Sequence, residues 1–110
     1  MDDRRLIFGL AARHYADFHA IFSRYPQIQK VLIFGSRAKG VARPGSDFDL
    51  AVFAPDLSDR DFSRLWNEID ALPVVFKIDL LHWDCLPSSP LKEKILAEGK
   101  LFYPLPETAS

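Results

Sequence analysis

A strand-like run that leads straight into Gly35-Ser36, followed after a ten-residue spacer by Asp47-Phe48-Asp49, restricts this chain's fold more than any other feature. Lys30-Val31-Leu32-Ile33-Phe34 is β-branched and aromatic, the composition of a strand. Ser46 to Phe53 reads as a second strand. Side chains alternate along a strand, so Asp47 and Asp49 share one face while Phe48, Leu50 and Val52 share the other. One face suits cations and the other suits a core.

The charge around this pair is uneven. Arg37, Lys39 and Arg43 lie between Gly35 and Asp47 with no acid among them, although the whole chain has net charge −1. Such a loop can offer backbone N–H groups and cations to a triphosphate, while the carboxylates supply ligands for a metal. Two adjacent aspartates repel each other, and a divalent cation relieves that repulsion. The same basic residues also read as a solvated loop, and Ser36 also reads as the cap of a short helix over Ser36 to Lys39. Either way, the N–H groups at that helix start favour an anion.

A third acid stands in Val74-Val75-Phe76-Lys77-Ile78-Asp79-Leu80-Leu81, a run of strand composition. Alternation separates Lys77 and Asp79 from the apolar Val74, Phe76, Ile78 and Leu80. A carboxylate within such a run needs a partner, because burying it unpaired is costly. A metal held jointly with Asp47 and Asp49 is one partner; Lys77 or a nearby arginine is another.

The remaining elements follow from periodicity and punctuation. Residues 3–25 read as a helix with Ile7, Leu10, Ala11, Phe18, Ile21 and Phe22 on one stripe, weakened early by Gly9 and closed by Pro26. Pro44-Gly45 signals a turn. Ser58 is a candidate N-cap for a helix running to Ala71, and the third strand spans residues 74–82. Leu91 to Glu98 reads as a last helix ended by Gly99, residues 100–103 as a short strand, and 104–110 as a tail. The expected class is α/β (α+β): a small mixed sheet with helices mainly on one face.

At 110 residues, the expectation is a single domain over 1–110. The chain has one cysteine, Cys85, and no visible signal peptide, which together favour a reducing cytoplasm. No apolar stretch nears the roughly 20 residues of a membrane span. The near-neutral charge disfavours bulk nucleic-acid binding. His14 and His19 have no acid or cysteine at metal-ligand spacing, His82 falls on the opposite parity to Asp79, and Cys85 reads as a buried or edge thiol.

Taken together, Gly35-Ser36-Arg37-Ala38-Lys39-Gly40, Ser46-Asp47-Phe48-Asp49-Leu50 and the later Asp79 resemble the nucleotidyltransferase superfamily related to DNA polymerase β, and within it the minimal nucleotidyltransferases of the MntA-like group. Phe48 departs mildly, since that family more often has a branched aliphatic residue there. The resemblance implies nucleotide contacts at Gly35 and Ser36, extended by Arg37 and Lys39, and two Mg2+ ions held by Asp47, Asp49 and Asp79. It implies transfer of AMP from ATP to a hydroxyl, the acceptor being a tyrosine of a HEPN-domain toxin encoded nearby, and a possible hetero-oligomer. A non-catalytic, nucleotide-sensing binding subunit and a transferase acting on RNA or a small molecule are the alternatives.

Overall fold

The computed structural model describes residues 6–7, 10–39, 47–74 and 76–104. Strands β1 (Leu6–Ile7) and β2 (Leu10–Ala11) pair antiparallel and lead into helix α1 (Ala12–Phe22). This corrects the expectation of helix from residue 3. Gly9 costs a helix about 1 kcal/mol relative to alanine, and the early apolar residues pair instead of coiling. The helix also stops short of Pro26, which disfavours helical geometry in the residue before it.

The central sheet has four strands: β3 (Lys30–Phe34), β4 (Phe48–Phe53), β5 (Ile78–His82) and β6 (Lys100–Tyr103), in the order β5-β4-β3-β6. The β4–β5 pairing is parallel and the other two are antiparallel, so the sheet is mixed. Three further helices accompany it: the short α2 (Ser36–Lys39), α3 (Asp59–Asp70) and α4 (Pro90–Glu98). Helix α3 starts where its chemistry allows, with the Ser58 hydroxyl accepting the Asp61 N–H at 3.1 Å.

Strand β5 is shorter than the expected 74–82. Its parallel ladder with β4 starts at Phe48↔Ile78, C-terminal to Val74 and Phe76. Both still pack against the core, and the Phe76 ring lies 4.5 Å from that of Phe48.

Alternation divides the sheet into two faces. Val31, Ile33, Phe48, Leu50, Val52, Ile78 and Leu80 join Phe18 and Phe22 of α1 and Leu65 and Ile69 of α3 in the larger core. Phe18 is fully buried and meets Phe102 edge-on at 5.5 Å, a contact favoured by the ring quadrupoles. The opposite face holds Phe34, Ala51, Phe53 and Ile95 of α4, flanked by Leu32, Leu81 and Trp83. The two longest helices thus cover one face, while α4 covers part of the other.

A polar tie locks α1 to the edge strand. The Tyr15 hydroxyl donates to the Phe102 carbonyl at 2.5 Å, and burial, then the neighbouring Tyr103, pushes its pKa up to about 12. The phenol therefore stays protonated and keeps donating across the physiological range.

Candidate functional site

On the α4 face of the sheet, the end where β3 finishes is the end where β4 and β5 begin. Asp49 and Asp79 are the second residues of their strands, and the parallel register sets them side by side. On its other flank Asp49 pairs with Phe34, so the chain leaving β3 passes over the Asp49 carboxylate. That chain is Gly35, with φ +78°, and a Cβ there would lie 2.6 Å from Asp49 Oδ2. The backbone conformation favours glycine, and a side chain here would also displace the Asp49 carboxylate. A carboxylate lies directly beneath a glycine turn.

The electrostatics follow from this crowding. Burial raises the Asp49 pKa above the ordinary carboxylate range, and the charges of Asp79 and then Asp47 raise it further. The Lys94 ammonium of α4 opposes the rise, and a hydrogen bond with Asp79 adds to it. A carboxyl–carboxyl hydrogen bond needs one proton between two acids. Asp47 is exposed just before β4 and acts on Asp49 as a repulsive charge. Three acids that raise a proton affinity in this way also form an all-oxygen donor set for a hard divalent cation, which would take the proton's place.

The basic loop is only partly described. Helix α2 begins at Ser36 directly after the glycine, and the Lys39 N–H donates to the Gly35 carbonyl at 3.2 Å. The side chains of Ser36 and Arg37, and all of Gly40 to Ser46 including Arg43, lie outside the described residues. Lys39 Nζ meets Glu98 Oε1 of α4 at 3.2 Å, an ion pair without hydrogen-bond alignment, with the lysine half exposed. Of the cations expected near a phosphate, Lys39 thus has a partner already.

Lys94 was not legible in the sequence. It stands in Lys92-Glu93-Lys94 on a helix, an arrangement that reads as a solvated face. Only the docking of α4 on the second face of the sheet brings its charge to bear on Asp49. The expected parity of His82 is observed: it lies on the larger core's side, where Phe62 stacks on its ring. Cys85 is exposed, in a 3-10 turn over Trp83–Cys85, rather than buried.

Residues 17–107 match the family model for polymerase beta, nucleotidyltransferase. A search of curated proteins finds no sequence match. Among solved structures, a toxin–antitoxin with AMP-PNP superposes with a TM-score of 0.66 at 21% identity, covering 86% of this chain and 76% of that one. A double mutant of the toxin–antitoxin MntA–HpeT gives 0.64 at 18% identity, covering 86% and 75%. A single mutant of the same system gives 0.62 at 22% identity, covering 84% and 71%. These likenesses establish a common fold.

Proposed function

The chain belongs to the polymerase beta nucleotidyltransferase family, and we propose on that premise that it moves AMP from ATP to a hydroxyl of a partner protein. The observation that carries this reading is the Asp49–Asp79 pair beneath Gly35, with Asp47 adding a third negative charge. Asp47, Asp49 and Asp79 are the residues that would hold two Mg2+ ions. Bound there, Mg2+ would make the acceptor hydroxyl more acidic and offset the negative charge of the departing pyrophosphate.

The chain's own groups do the rest. Gly35 keeps the turn free of a side chain, so the N–H groups at the start of α2 can approach phosphate oxygens. Ser36, Arg37 and Lys39 complete the phosphate cradle, with Lys39 exchanging its Glu98 partner for the nucleotide. Asp79 accepts the acceptor's proton. The acceptor oxygen then bonds to the α-phosphorus as the bond to the bridging oxygen breaks, and pyrophosphate leaves with that electron pair.

The acceptor is a tyrosine of a HEPN-domain toxin in the cytoplasm, and the transfer makes this chain an antitoxin. One consideration supports a partner-borne acceptor: the similar structures are toxin–antitoxin ones. Among the described residues, no helix is long and apolar enough to cross a membrane.

Calorimetry with ATP and Mg2+ tests the site. Saturable, Mg2+-dependent binding that Asp49→Ala abolishes is expected. Equal binding by the two proteins would remove the aspartates from the nucleotide site. Full restraint of the toxin by an aspartate-free variant would favour a subunit that acts by binding alone.

A further inference from the structure

A second group of ligand-type side chains lies at the other end of β5, on the opposite face from the aspartates. His82 ends that strand and is 8% exposed, and its ring stacks on Phe62 at 5.0 Å and 9°. His82 Nε2 is 2.8 Å from the Ala54 carbonyl oxygen. A carbonyl only accepts, so Nε2 carries the proton and the lone pair of Nδ1 accepts the Cys85 S–H. That nitrogen faces Cys85 Sγ at 3.2 Å. Asp84 secures the same backbone from the other side, its Oδ2 accepting the Ala54 N–H at 2.7 Å.

Asp59 completes the set. It is the first residue of α3, where Ser58 already supplies the cap, so its carboxylate has no capping duty. Among the described residues, one ligand atom from each of Asp59, His82 and Cys85 lies within 4.8 Å of the others. Tetrahedral zinc bonds of about 2.3 Å to sulfur and about 2.0 Å to nitrogen place those two atoms roughly 3.5 Å apart. The observed 3.2 Å separation is close to that.

We infer that Asp59, His82 and Cys85 form a zinc site with three protein ligands and a fourth position left to water. Imidazole, thiolate and carboxylate together suit zinc, whereas an all-oxygen set suits magnesium. The His82 N–H to the Ala54 carbonyl is the kind of outer bond that fixes a metal-bound imidazole and its tautomer. Binding forms the Zn–S bond as the Cys85 thiol releases its proton to solvent. The ion would clasp the start of α3 to the end of β5, independently of the nucleotide reading.

Cobalt(II), a spectroscopic stand-in for zinc, tests this on the full chain after chelator treatment. Cys85 is the sole cysteine, so a thiolate-to-cobalt charge-transfer band reports this site alone. One thiolate-bound ion per chain, counted from the band apart from any cobalt on the aspartates, a band that zinc displaces, and loss of the band in Cys85→Ser are expected. Asp59→Asn, an exposed change that leaves the core intact, weakens binding by about tenfold or more. Asp49→Asn keeps the band. Absence of the band at saturating cobalt, one ion per two chains, or equal affinity in the Asp59→Asn protein would overturn the inference. Equal affinity in a folded His82→Asn protein would do the same.

Discussion

Asp49 and Asp79 occupy directly paired positions in the parallel register of β4 and β5, where the Asp79 charge favours a proton on Asp49. Because its surroundings raise the pKa of Asp49 above the unfolded value, the native state holds that proton over a pH window where the unfolded chain releases it. Stability is then full below the unfolded pKa and falls as pH rises through the folded one. Thermal melts of the metal-free protein should show that decline. Asp49→Asn should flatten it and stabilise the neutral-pH protein by up to about 1 kcal/mol, the scale of a partly solvated charge interaction. Mg2+ should raise the melting temperature of the wild type above this window and leave the variant unchanged. A wild-type stability that holds level through the window would contradict the repulsion.

Gly35→Ala should damage both fold and site. The left-handed backbone alone costs a side chain about 1–3 kcal/mol, and the added methyl meets Asp49 Oδ2 at 2.6 Å. Urea denaturation should show a loss in that range or above. Nucleotide titration of the folded fraction should show weaker ATP binding. A fully stable variant would mean that the turn relaxes away from Asp49.

Phe18→Ala should cost about 3–5 kcal/mol, the range for emptying a buried aromatic position. The ring contacts Phe22, Phe48 and Phe102, so its loss loosens α1 from both β4 and β6. Equilibrium unfolding measures the cost directly. A loss below about 1 kcal/mol would show that the core collapses around the gap.

The sequence was most readable where local chemistry and tertiary packing agree. The run Lys30–Phe34, the four residues of α2 and the Ser58 cap stand where their residue types place them. It was least readable at the ends. Ile7, Leu10 and Ala11 belong to a helical stripe yet lie in short paired strands, and the run from Val74 has strand composition although the ladder of β5 with β4 starts only at Phe48↔Ile78. Side-chain alternation puts Asp49 and Asp79 on one face. It could not give the register that makes them neighbours, nor the docking of α4 that brings up Lys94. The cluster of Asp59 with His82 and Cys85 was equally hidden, since Asp59 and His82 are 23 positions apart and only the fold brings them together. The three-residue spacing of His82 and Cys85 was its one local sign.

The central claim is nucleotidyl transfer by the three aspartates, and the position of the transferred label tests it most directly. The protein should be incubated with Mg2+, the proposed HEPN-domain partner and ATP labelled in parallel reactions at the α- or the γ-phosphate. The account predicts that α-label alone becomes fixed to a partner tyrosine, with pyrophosphate released. The rate should fall by about 10²–10³-fold in Asp49→Ala, the scale seen when one element of transition-state charge stabilisation is removed. Transfer of γ-label, or α-labelling that persists undiminished without Asp47 and Asp49, would contradict it.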